Sequence, residues 1–164
     1  MKFLKTLVVS LCFSAIATGA SAETITIAGH TLENVTVSRD ADGIGSFIWS
    51  DPDNREWFGL IKFIEDDNSI CMIRPDYSIT NRVWIMSVEP ADSTEQFKSF
   101  LSAIDIDCRG MKIKTVALSA YSDFFLKGES ESVPKSALDT DYRAAVPGSL
   151  NHAAAFLMCS LPRQ

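Results

Sequence analysis

The sequence is short of positive charge and short of histidine. Its 15 Lys+Arg stand against 21 Asp+Glu, a formal net charge of −6. Binding a phosphate backbone draws on clustered Lys and Arg that release counterions, so nucleic acid is excluded as a main partner. The two histidines, His30 and His152, lie in no Gly-x-Ser-x-Gly or His-Glu-x-x-His pattern, and the chain reads as a non-enzyme. Gly43-Ile44-Gly45 lacks the third glycine of a dinucleotide loop. The acidic stretches Asp40–Gly43, Asp51–Asn54 and Glu65–Asn68 lack the terminal Glu of a calcium loop and read as solvated turns. No cofactor and no metal is expected. Linkers and repeats are also missing, while 46% hydrophobic residues suffice for one globular domain and exceed what a disordered chain carries.

What is there begins at the N-terminus. Lys2 and Lys5 precede the apolar run Leu7–Phe13, and Ala20-Ser21-Ala22 follows it, the three parts of a secretory signal peptide. The run falls short of the roughly 20 residues of a membrane-spanning helix. Cleavage after Ala22 is expected, with residues 1–22 as signal peptide and 23–164 as a single exported domain, periplasmic or secreted to the outer surface. The loss of Lys2 and Lys5 leaves 13 Lys+Arg against 21 Asp+Glu, a charge of −8. Cys12 leaves as well, so Cys71, Cys108 and Cys159 form an odd set in an oxidising compartment, consistent with one disulfide and one spare thiol. Asn34-Val35-Thr36 matches a glycosylation sequon.

Period-two patterning dominates the rest. Thr24–Ile27 and Leu32–Val37 alternate across Gly29-His30 as a hairpin, Ser38–Gly45 reads as a loop, and Ser46–Trp49 and Trp57–Ile64 read as strands. Further strands are expected at Ser69–Ile73, Arg82–Val88, Phe97–Cys108 and Met111–Tyr121, the last extended past a bulge by Asp123–Leu126. In the third of these, Ile104 and Ile106 face one way and Asp105 and Asp107 the other. Near the C-terminus the pattern changes: Ser149 can cap a helix over Leu150–Cys159 whose Leu150, Ala153, Ala154, Leu157 and Met158 form one stripe. A helix of about ten residues is marginal alone and must pack on the sheet. The expected fold class is α+β, an antiparallel β-sheet with a C-terminal α-helix packed on it.

Cys108 closes a strand and Cys159 closes the helix, so a bond between them would staple helix to sheet. Cys71 then remains as the spare thiol, with burial as a small hydrophobe the expected fate and an intermolecular bond the alternative. Trp49, Trp57 and Trp84 are candidate binding-surface aromatics, because aromatic side chains dominate interface energetics, although core packing is the commoner use of tryptophan.

An ordered set of short motifs runs through the second half: Asp76-Tyr77-Ser78-Ile79 before Val83-Trp84-Ile85, then Ile106-Asp107-Cys108, Tyr121-Ser122, Lys127-Gly128-Glu129, Val146-Pro147-Gly148-Ser149 and the helix ending at Cys159. Over about residues 70–160 the chain resembles the surface-adhesin protein E family of bacterial exported proteins. The resemblance implies an antiparallel sheet with a C-terminal helix, a Cys108–Cys159 bond, adhesion to host extracellular matrix proteins such as vitronectin and laminin, and a homodimer. The leading expectation is an exported non-catalytic protein-binding module, an adhesin. The alternative is a periplasmic inhibitor or accessory protein whose acidic surface engages a basic protein partner.

Overall fold

The computed structural model describes residues 22–40, 43–60, 69–76, 78–79 and 81–160. The signal-peptide segment up to Ser21, the acidic stretch Glu65–Asn68 and the Ile61–Ile64 end of an expected strand lie outside the described residues.

Ten strands form one antiparallel sheet among the described residues. They are β1 (Glu23–Ile27), β2 (His30–Asp40), β3 (Gly43–Ser50), β4 (Glu56–Leu60), β5 (Ile70–Pro75), β6 (Arg82–Val88), β7 (Ser99–Asp107), β8 (Lys112–Tyr121), β9 (Ser130–Ser132) and β10 (Arg143–Ala144). The first eight pair in chain order, a meander that needs only short connections. Two short strands then share the far edge of β8: β9 pairs with Ser119–Tyr121 and β10 with Lys112 and Ile113. Between them Val133 N–H donates to the Leu118 carbonyl and Asp139 accepts from Thr115 N–H, so the loop occupies an edge that would otherwise be open.

The first hairpin turns through Ala28 and Gly29, both left-handed (φ 50° and 78°), with Ile27 and His30 paired across it. Glycine is required there. A Cβ on Gly29 would lie 2.9 Å from the Ala91 Cβ, where the Ala91 N–H also donates to the Ala28 carbonyl. Ser38–Gly45 is not the loop its polarity suggests. β2 runs on to Asp40 and β3 starts at Gly43, with a register shift at Ser38/Arg39 and an Arg39–Glu23 ion pair holding the edge.

Alternation places two cores on the two faces. One gathers Val35, Phe47, Trp49, Trp57, Met72, Met86 and Val88, and Phe124, Phe125 and Leu126 pack against it. The other gathers Ile73, Val83, Ile85, Ile104 and Ile106 under the helix α1 (Leu150–Ser160), whose Ala154 and Ala155 are buried. Small alanines let the helix approach β5, β6 and β8 closely. Ser149 caps it, its Oγ accepting from His152 N–H at 3.2 Å. Cys159 is bonded to Cys108 with 5.5 Å between Cα atoms, so helix end and β7–β8 turn are joined covalently. The expected α+β fold, antiparallel sheet and stapled C-terminal helix are those of the structure.

Asp123–Leu126 does not extend β8. It is a 3₁₀ turn, Phe124–Leu126, with Phe125 and Leu126 in left-handed backbone (φ 55° and 62°). Local patterning favoured a strand, but Ser99 overrides it. The buried Ser99 Oγ donates to the Asp123 carbonyl and accepts from Leu126 N–H at 2.9 Å, pulling the chain back over the first core.

Candidate binding surface

Carboxylates at two turns set the positions of two tryptophans. At the β3–β4 turn, Asp51 Oδ1 accepts from the backbone N–H groups of Asp53 and Arg55 at 2.9 Å each. Its Oδ2 accepts from Arg55 Nε at 2.6 Å and from the Trp57 indole N–H at 3.0 Å. Burial pushes the Asp51 carboxyl up most strongly, but the indole, backbone and guanidinium bonds together outweigh it and hold the group below its ordinary value. Asp51 is therefore buried at 7% exposure, not the solvated turn residue the sequence suggested. Asp76 repeats the device before β6: Oδ1 accepts from Ser78 N–H and Oγ–H, and Oδ2 from the Trp84 indole N–H at 3.1 Å. Here too burial raises the carboxyl, and the bonds from Ser78 and Trp84 with the nearby Arg82 charge bring it below its ordinary value.

These anchors sort the tryptophans. Trp57 is 1% exposed with Arg74 stacked 5.0 Å from its ring, and Trp49 is 9% exposed in the same core, so neither presents a broad outer face. Trp84 is half-buried on β6. Beside it Arg82 grips Asp105 through two bonds of 2.6 and 3.0 Å. Those bonds, against partial burial and with help from Asp76 and Tyr142, hold the guanidinium above its ordinary value. Tyr142 is 45% exposed and Ile79 41% exposed at this end of the sheet. Trp84, Arg82 and Tyr142 are the residue types that carry binding energy at protein interfaces. Trp84 packs partly against the first core, and with Arg82 and Tyr142 it is a candidate for contact; of the three, sequence reasoning found only Trp84.

The remaining chemistry-bearing groups are dispersed. His30 is buried at the start of β2, where its Nε2 lies 2.8 Å from the Glu89 carbonyl and Phe124 and Phe125 meet its ring edge-on at 4.6 and 5.1 Å. His152 is half-buried on α1. Cys71 is half-buried on β5 with its Sγ 3.7 Å from Ser87 Oγ, two residues along the same face from Ile73 and Ile85 beneath the helix. Among the described residues no three His, Cys, Asp or Glu side chains converge to hold a metal ion. No helix of the described residues is long and apolar enough to cross a membrane.

A helix stapled to an antiparallel sheet, with carboxylates spent on turns and an aromatic and guanidinium surface at one end, defines the class. Residues 66–160 match the family model of surface-adhesin protein E, more than half of the chain, and the protein belongs to that family. No curated protein and no solved structure is significantly similar to it.

Proposed function

We propose that this is an exported, non-catalytic adhesin that binds host extracellular matrix proteins through the surface around Trp84, Arg82 and Tyr142. Membership of the surface-adhesin protein E family carries the reading. The exposed Tyr142, whose electrostatic influence reaches Arg82, supports the place of contact. The mature chain in this reading is residues 23–164, released by cleavage of the signal segment 1–22, and it acts as a single domain that self-associates as a dimer.

The test is solid-phase binding of residues 23–164 to immobilised vitronectin and laminin across a salt series. Saturable binding that weakens about tenfold in Tyr142→Ala, the loss of one interface hot spot, is the expected result. Binding no better than to albumin overturns the adhesin reading.

The charge of −8 on residues 23–164, 13 Lys+Arg against 21 Asp+Glu, favours a second reading. In it the protein stays in the periplasm and its acidic surface steers a basic protein partner onto it. Fractionation separates the two: a protein confined to the periplasmic pool, absent from surface and medium, fits only the second.

A further inference from the structure

A cleft of about 830 Å³ opens between the start of β2, the β3–β4 turn and the 3₁₀ turn after β8. The volume lies within the range of small-ligand sites. Its floor is apolar, with buried Leu32, Trp49 and Met86 and half-buried Phe125 and Leu126. Its rim carries exposed neutral hydrogen-bonding side chains, chiefly Thr31, Asn34 and Asn54.

The charges around the cleft sum to −1, with Glu33, Asp51 and Asp53 against Arg55 and Lys127. Arg55 is spent on Asp51 and on Asp53, at 2.6 and 2.7 Å. Glu33 and Lys127 then contribute one exposed charge of each sign. A wholly apolar ligand would strip water from the rim amides without replacing those hydrogen bonds. An anionic ligand would meet a lining of net charge −1, and a cation would find only one unbalanced carboxylate, since Arg55 bridges Asp51 and Asp53. The matching chemistry is a neutral molecule with an apolar face and a hydroxyl perimeter, which is what a sugar ring presents.

The walls are also preset. Asn34 and Asn54 (φ 58° each) and Phe125 and Leu126 (φ 55° and 62°) all sit in left-handed backbone. For the two bulky residues this backbone is strained. The strain is held by the Ser99 bonds and by packing of Phe125 against His30 and Trp49 at 5.1 and 5.3 Å between ring centres. Strain of this kind concentrates at ligand clamps, and a wall already fixed loses little entropy when a ligand arrives.

We infer that this cleft is a binding site for a neutral glycan. The site is separate from the Trp84 surface, and it stands or falls independently of the matrix-protein reading. Saturation-transfer NMR of residues 23–164 with N-acetyllactosamine, chitotriose and maltotriose, and with sialyllactose as the charged comparison, tests it. At least one neutral sugar is expected to show transfer at millimolar concentration. Asn54→Gly and Asn34→Gly keep the left-handed backbone while removing the amide, so an unchanged melting midpoint would certify their fold. Each should weaken the titrated Kd about tenfold, the loss of one hydrogen bond to a ligand hydroxyl. No transfer from any neutral sugar, equal Kd in both variants and parent, or a preference for sialyllactose would each overturn the proposal.

Discussion

The indole N–H of Trp57 donates to Asp51 Oδ2 across 3.0 Å, and the same carboxylate closes the turn that separates the two residues. One buried group thus fixes both a hairpin connection and the orientation of a core side chain. Replacing Asp51 by alanine leaves the indole, two backbone N–H groups and Arg55 Nε without their acceptor. The expected loss is about 2–4 kcal/mol, the scale for breaking a buried, charge-assisted network. Asp53→Ala removes only an exposed contact to Arg55 and should cost under about 1 kcal/mol. Urea denaturation of the two variants side by side gives the comparison, and equal midpoints would refute the anchoring role.

The same carboxylates set the acid limit of stability. Asp51 and Asp76 are both held below their ordinary values in the folded protein. A carboxyl depressed in this way contributes stability that is fully present above its unfolded value, near 3.9, and is lost as pH falls through its lower folded value. Thermal midpoints should therefore stay flat from neutral pH to about 5 and fall below about 4. Asp76→Asn should lower the plateau and make the acid fall shallower. A midpoint that begins to drop above pH 6 would place the controlling group elsewhere.

Much of the sheet was legible because alternation encodes which face a residue takes. Asp105 and Asp107 before the β7–β8 turn, and Lys112 and Lys114 after it, pair across the strands as Asp105 with Lys114 and Asp107 with Lys112. The helix was legible through its alanines and its Ser149 cap, and the staple through the positions of Cys108 and Cys159 at element ends. The roles of Asp51 and Asp76 were not. An Asp-Pro-Asp-Asn turn looks solvated, and burial of its first carboxylate becomes favourable through an indole from the next strand together with the Asp53 and Arg55 amides and the Arg55 guanidinium. The backbone of Phe125 and Leu126 was hidden for a similar reason, since Ser99 lies 27 residues from Leu126. The Arg82–Asp105 pair spans 23 residues, and no local pattern announces it.

Gly59 is fixed by what crosses it. It pairs with Phe47 in the β3–β4 ladder, and a Cβ built on Gly59 would fall 2.1 Å from the Phe47 ring. The buried ring lies over the bare backbone of its neighbour, an aromatic covering a strand glycine. Gly59→Ala forces that ring out of its place and should cost about 1–3 kcal/mol by overpacking. Gly59→Ala combined with Phe47→Leu should recover part of the loss, since the obstacle is the ring itself. Thermal unfolding of the single and double variants measures the coupling, and strict additivity would contradict the contact.

The Cys108–Cys159 bond closes a separation of 51 residues. The chain-entropy model assigns such a loop about 4 kcal/mol, an upper figure. An eleven-residue helix without aligned charges at its ends has little stability of its own. Its hold on the sheet comes from Ala154, Ala155 and the flanking apolar stripe over Ile73, Val83, Ile85 and Ile104. Cys159→Ser should therefore lower stability by up to about 4 kcal/mol and loosen the helix before the sheet. Hydrogen exchange should show the order directly, with amides of residues 153–160 exchanging faster in the variant while those of β6 and β7 keep their protection. Mass mapping of the oxidised protein should return the peptide linking Cys108 to Cys159, and a linkage from Cys71 to either would refute the staple. Uniform loss of protection across helix and sheet would mean that the bond supports the whole fold as one cooperative unit.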